Sequence, residues 1–287
     1  VVDFALNATV SRATTVVFDI VRVKGIFVGE PAKPIVLQTN FTVEPGDVVA
    51  PHLYDWLLDG VDDYIDVRDV PDSTSNQVYF SASVKPVDHE PNKQYKIVYD
   101  TANRLNIEHD GRSYRRMLAG LAFQDGSVAY DAKDGVFYNN VRVNIGYGYN
   151  GTHTFMVVNG SAVVVKYYGK DLLVQGYLRP TIISQVNIWY TSFKGFIYNA
   201  LLYHTFPTQH LKLIHSNILP ATGLKFFLDP TFYNGTHYLD MSGNGYHAVG
   251  YNYVARVPAE SPWLYLVKGL RQGSNYIHFS MFPPGTR

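Results

Sequence analysis

Apolar residues along most of this chain either alternate with polar ones or gather in short β-branched runs. Residues 13–29, ATTVVFDIVRVKGIFVG, partly alternate, with Arg22 and Lys24 on one parity and Val21 and Val23 on the other. The segments 34–43 (PIVLQTNFTV), 76–87 (NQVYFSASVKPV), 95–100 (YKIVYD), 153–174, 184–190 (SQVNIWY) and 194–206 (KGFIYNALLYHTF) also read as strands. Turn dipeptides separate them: Asp-Gly at 59–60, 110–111, 125–126 and 134–135, and Asn-Gly at 150–151, 159–160 and 234–235. Within 153–174, FMVVNGSAVVV predicts a hairpin turning on Asn159-Gly160. Only PTQHLKLIHSNI, 207–218, predicts a helix, with Pro207 in its first turn and Leu211, Ile214 and Ile218 as its apolar stripe. Many strands, short turns and almost no helix predict an all-β sandwich or barrel.

The stretch WLLDGVDDYIDV, 56–67, sets four aspartates among apolar residues. Read as a strand leaving an Asp59-Gly60 turn, it puts Val61, Asp63, Ile65 and Val67 on one parity. Asp62 and Asp66 fall on the other, solvated face. A calcium site needs six to eight converging oxygens, more than this stretch alone supplies. No metal site is therefore expected, with Ca²⁺ kept as an alternative, either here or at Asp240 and Asn244 of the turn LDMSGNG.

Composition narrows the function. The chain has 287 residues with zero formal net charge, 24 basic against 24 acidic, which argues against nucleic-acid binding. No apolar run is long enough to span a membrane. A start at Val1, without a leader, suggests a removed signal or an excised fragment. There are no cysteines, which suits an oxidising or hot environment. Tyrosine is abundant, with 23 copies, while glutamate occurs only at 30, 44, 90, 108 and 260, a balance that an acidic medium would favour. N-x-[ST] sequons stand at Asn7, Asn40, Asn150, Asn159 and Asn234, where chance gives about two. Three of the five are turn sequences, so N-glycosylation at these asparagines and an extracellular location are expected.

The sequence LDGVDDYIDVRDVPDSTSNQVYFSASVKP resembles the laminin-G-like, concanavalin-A-type lectin/glucanase superfamily. Two further segments, GTHTFMVVNGSAVVVKYYGKDLL and FKGFIYNALLYHTFPTQHLKLIH, resemble that superfamily's later strands and closing helix, in the correct order. The resemblance covers roughly 53–216 and implies a two-sheet antiparallel jelly-roll sandwich. Ser83 departs from it, standing where an aromatic is common. A fourth motif, with a D-x-S-G-N-G-x-H turn at 240–247, resembles a segment that usually precedes the DGVDDY strand, yet here it follows the helix. The organisation read from this is an N-terminal arm or small β subdomain at 1–48, the jelly roll at 49–218, and a β-rich extension or partial second domain at 219–287. The last segment would supply edge strands, to this domain or to a neighbouring subunit, or begin a second jelly roll.

Glycosidases of the superfamily usually carry an E-x-D-x-x-E run. Here Glu108 and Asp110 fit, but Ser113 takes the last acidic place. No G-x-S-x-G elbow occurs, and His210 and His215 are spaced poorly for zinc. The expectation is a non-enzyme that binds glycans or host and cell-surface proteins. Tyr-rich turns at 146–151 (GYGYNG) and 233–238 (YNGTHY) would stack on sugars. The alternative is a filament subunit that self-associates by strand exchange, on a cell or virion surface. Cysteine depletion, sequons and tyrosine content together resemble surface proteins of hyperthermophilic archaea and their viruses.

Overall fold

The computed structural model describes residues 52–67, 70–100, 105–113, 115–174, 191–215 and 218–263, with the short strands 8–9, 14–17, 40–43, 48–49, 177–178 and 180–182. The strand expected at 184–190 and the tail 264–287 lie outside the described residues, as does Asn7.

The principal strands are β1 (His52–Asp59), β2 (Tyr64–Val67), β3 (Val78–Pro86), β4 (Gln94–Asp100), β5 (Leu105–Asp110), β6 (Arg116–Ala122), β7 (Val128–Lys133) and β8 (Val143–Tyr149). They are followed by β9 (His153–Val158), β10 (Ser161–Tyr167) and β11 (Lys194–Tyr203), a helix α1 (Leu211–His215), and β12 (Leu224–Tyr233), β13 (Tyr238–Asp240), β14 (Ala248–Tyr251) and β15 (Ala255–Trp263). One antiparallel sheet runs β15-β1-β11-β3-β8-β9-β10, with β12 lying beside the second half of β11. The other runs β7-β6-β5-β4, then residues 180–182, then β2-β14-β13. The β12–β13 pairing joins the two along one side. This is the all-β sandwich that the strand pattern predicts, in the two-sheet jelly-roll form that the resemblance implies.

The core between the sheets is built on Trp56, Leu58, Ile65, Phe80, Ile97, Ile107, Ile145, Tyr147 and Phe226, all buried. A second cluster, of Tyr79, Phe206, Leu211, Ile214 and Phe227, packs α1 on the opposite face of β3. Apolar residues of both parities on β3 are thus withdrawn from water, and the whole strand is buried. Each such large side chain contributes roughly 1.5–3 kcal/mol of burial.

Two expectations need correction. The helix spans five residues rather than 207–218, because Ile218 and Leu219 are drawn into a ladder with Val49 and Val48. Val61 is 63% exposed, not inward. Asp59 Oδ1 accepts from Val61 N at 2.7 Å and Asp63 Oδ2 accepts from Asp59 N at 3.0 Å, which folds 59–63 into a loop and delays the strand to Tyr64. Asp63, not Val61, therefore begins the inward row with Ile65 and Val67.

The strands of 224–263 pair with β1, β2 and β11 of the same sandwich. A buried charge cluster reinforces one of these contacts. His52, on β1, lies 2.6 Å from Asp55 and 2.8 Å from Asp229 of β12, and all three are fully buried. Burial, the largest single influence, pushes the imidazole toward neutrality. The charge and hydrogen bond of Asp229, then the hydrogen bond and charge of Asp55, together outweigh it and hold the ring pKa at about 9.

Candidate functional site

A cleft of about 440 Å³ opens where β12, β13 and β14 meet, lined by Tyr233, Tyr238, Gly250, Asn252, Tyr253 and Val254. Three local features shape it. Gly250 leaves its Cβ position open against Tyr238, whose Cε2 would lie 3.1 Å from an added methyl. The Tyr233 hydroxyl donates to Gly235 O at 2.7 Å, fixing that ring 4.8 Å from Tyr238. Tyr238 in turn meets Trp56 edge to face at 5.0 Å, which anchors the floor to the core. Across the mouth, Asn252 and Tyr253 hold left-handed backbones, φ 58° and 69°. For a tyrosine that conformation is strained. It leaves the Tyr253 ring 99% exposed. The Asn252 side chain braces this turn by donating to Asp62 O at 2.8 Å.

The tyrosines expected to meet sugars thus divide. Tyr233 and Tyr238 of YNGTHY come together in the cleft. Tyr147 and Tyr149 of GYGYNG do not reach a surface. Both are buried, with Tyr147 donating to Asp131 at 2.7 Å and Tyr149 to Lys170 O at 2.7 Å. The glycines that alternate with them, Gly146 and Gly148, give room to Tyr79 of β3. Sequence reasoning missed Tyr253; its signal, Asn-Tyr in a short link between two strand runs, is weak on its own.

The pentapeptide YNGTH occurs twice, at 149–153 and 233–237, and folds the same way each time. In the first copy Asn150 Oδ1 accepts from Thr152 N and Oγ1, both at 3.1 Å, and from His153 N at 2.8 Å. In the second Asn234 Oδ1 accepts from Thr236 N and Oγ1, both at 3.0 Å, and from His237 N at 2.8 Å. The asparagine oxygen carries the turn, and among the described residues nothing holds the amide nitrogen. Asn234 is exposed and Asn150 half-buried. Asn159 is exposed in its hairpin turn and accepts from Asn144 N at 3.0 Å. Asn40 opens the short strand 40–43.

The other candidates have different work. Glu108 is buried in an ion pair with Lys96, its partner in the β4–β5 ladder, and Asp110 accepts from Arg112 Nε at 2.9 Å. In the D-x-S-G-N-G-x-H turn, Asp240 takes Phe227 N, Ser242 N, Ser242 Oγ and Tyr246 N, while the Asn244 amide donates to Leu224 O and Lys225 O. With both oxygens of Asp240 already bonded and Asn244 turned donor-first to carbonyls, this turn is a structural knot. His89 and His109 meet Nδ1 to Nδ1 at 2.7 Å beneath Phe193 and Phe137. Burial, and for His89 also the His109 charge, lowers their pKa values to about 3 and about 4. His89 Nε2 donates to Lys194 O at 2.9 Å, so His109 must be the donor between the rings.

No protein-family model matches the sequence, and no curated protein matches it. Among solved structures, a Bacteroides ovatus protein provisionally ascribed carbohydrate binding superposes with a TM-score of 0.57 at 14% identity, over 82% of this chain and 68% of its own. A heptameric SAP-like pentraxin from Limulus polyphemus gives 0.47 at 11% identity, over 57% and 82%. The binding domain of botulinum neurotoxin serotype G gives 0.41 at 11% identity, over 56% and 46%. At these identities what the first likeness shows is the fold: a jelly-roll sandwich, reached independently from the strand pairing above.

Proposed function

We propose that this chain is a non-enzymatic extracellular recognition module that binds glycans through the Tyr233–Tyr238–Tyr253 cleft, on a cell, filament or virion surface. The observation that carries the reading is Tyr253, an aromatic ring 99% exposed on a strained backbone at the mouth of an aromatic cleft. A lone exposed tyrosine is unremarkable in itself, but one held out at the cost of backbone strain invites a role in contact. Sugar rings present C–H faces that pack on such rings, and Asn252 and the backbone beside it supply polar partners. The cleft volume falls in the range of small-ligand sites, roughly 300–1,000 Å³. The carbohydrate binding ascribed to the Bacteroides protein agrees with this reading. The same proposal includes N-glycans on Asn150 and Asn234, whose amide nitrogens the twin turns leave without a partner. Glycosidase activity is not part of it, since Glu108 is committed to Lys96.

A glycan array probed with the purified chain tests the reading. Binding by the wild type, weakened about fivefold or more in Tyr253→Ala, is expected, since one stacked ring is worth about 1 kcal/mol or more with its buried area. Binding undiminished in that variant would place recognition elsewhere. Absence of glycan binding together with polymer formation in solution would favour the filament subunit.

A further inference from the structure

We propose that the carboxylates of Asp59, Asp62 and Asp63 form a divalent-cation site, of the calcium type, at the loop that braces the tyrosine cleft. Each residue places a carboxylate oxygen within 4.8 Å of the other two, a spacing at which one cation can touch all three. Asp59 and Asp62 are exposed. Acidic groups gather on surfaces without ions often enough, so the cluster alone decides nothing.

The deciding observation is Asp63. It is only 3% exposed, and its Oδ1 is buried with no hydrogen-bond partner. Its other oxygen is occupied by Asp59 N. A buried carboxylate oxygen left bare beside two further negative charges is costly, and native proteins pair the great majority of such groups. The nearby lysine does not: Lys194 packs its stem under Gly60 but sends Nζ to Asp88 at 3.0 Å. Among the described residues, no lysine or arginine forms an ion pair with any of the three aspartates. Asp240 makes the contrast: both its oxygens are saturated by protein donors. A cation with hard oxygen ligands, completing its shell with water, satisfies Asp63 and cancels the repulsion at once.

The site also has a place in the binding reading. Asp62 O receives the Asn252 side chain, so ordering of 59–63 is passed to the turn that presents Tyr253. This second step rests on the proposed glycan cleft; cation binding itself does not.

Calorimetric titration of the full chain with Ca²⁺, and melting in EDTA against CaCl₂, test it. The wild type is expected to bind one ion and to melt about 5–10 °C higher at a hundredfold excess over Kd. Asp62→Asn should raise the EDTA melt slightly, by removing one of the mutually repelling charges, and abolish the calcium shift. Asp63→Asn should raise the EDTA melt, by removing an unpaired buried charge, and also abolish the shift. No calcium response up to ~10 mM, above the affinities of extracellular calcium modules, would overturn the proposal. So would a shift retained in both variants. Calcium binding without any glycan binding would leave the cation site standing and defeat the cleft reading alone.

Discussion

Raising the pH from 6.5 to 9 should loosen the attachment of β12 to β1. His52 is the link, fully buried between Asp55 and Asp229. Its pKa rises from 6.5 to about 9 on folding, through its two carboxylate neighbours acting against burial. A group whose pKa is raised by folding stabilises in its protonated form. The stabilisation is complete below the unfolded pKa near 6.5 and is lost as pH rises through about 9. At 1.36 kcal/mol per pKa unit, the amount at stake is about 3 kcal/mol. For a domain of this size that is a fall of roughly 6–12 °C in melting temperature. Melting curves at closely spaced pH values between 6 and 10 would measure it. Lysine and tyrosine titrate mostly above this window in the unfolded chain, so the limb belongs mainly to His52. Asp229→Asn is the matched perturbation. It removes the larger of the two raising influences, lowers stability at pH 6.5, and flattens the alkaline limb. A wild-type melting temperature constant from pH 6.5 to 9.5, or an equal alkaline slope in Asp229→Asn, would refute the reasoning.

Three other outcomes follow from the same structure. The His89–His109 pair, with pKa values lowered by burial to about 3 and about 4, acts in the opposite sense. Its contribution is complete above pH 6.5 and is lost as pH falls toward 4, because the unfolded chain takes up those protons first; urea midpoints in that range should drop, and less steeply in His109→Phe. Gly148→Ala should cost about 1–3 kcal/mol in chemical denaturation, since its Cβ would collide with Val78 O and lie 2.9 Å from Tyr79 Cα. Peptide mass spectrometry of chain secreted from its native host should find glycans on Asn150 and Asn234, and Asn234→Gln should remove one glycan mass.

The hairpin 153–167 was legible because two levels of information agreed. β-branched runs flank Asn159-Gly160, and that pair takes the left-handed conformations, φ 48° and 75°, that a tight hairpin needs. The tyrosines were not legible. Period-two alternation yields two equivalent faces and says nothing about which face is covered. On β8 the face that carries Tyr147 and Tyr149 belongs to the core, and the face that carries Gly146 and Gly148 is covered by Tyr79 of the neighbouring β3, so all four are buried. Tyr253 is exposed because its turn lies where the sheets join, a place set by pairings between segments far apart in the chain. The same limit hid Asp63. Parity placed it inward correctly, but its missing partner is visible only once its neighbours are in place. The two histidine clusters act in opposite directions. One weakens the fold below pH 6.5 and the other above it, so together they favour a stability maximum close to neutrality.

The displaced motif at 240–247 shows what the sandwich does and does not require of chain order. In the resembled superfamily that segment precedes the DGVDDY strand, and here it comes long after it. The strand leaving it, β14, nevertheless lies directly against β2, with Ala248 opposite Val67 and Tyr251 opposite Tyr64. The Tyr64 and Tyr251 rings stack at 4.6 Å across that ladder. Side-chain packing and ladder hydrogen bonds depend on which strands are neighbours, whereas the route between them costs loop entropy that grows only slowly with length. A sandwich can therefore keep its neighbours and change its connections. Deletion of 220–287 would then not produce a free jelly roll with an unsatisfied edge. It would take Phe226, Leu228, Tyr238 and Ala248 out of the core and leave His52 without Asp229. At roughly 1.5–3 kcal/mol for each large apolar side chain, that loss is comparable with the 5–15 kcal/mol by which domains are usually stable, and the lost ladders add to it. The truncated chain should be unfolded by circular dichroism at any pH. A folded, monomeric product of that deletion would show that β12–β15 are an accessory to the sandwich and not part of its core.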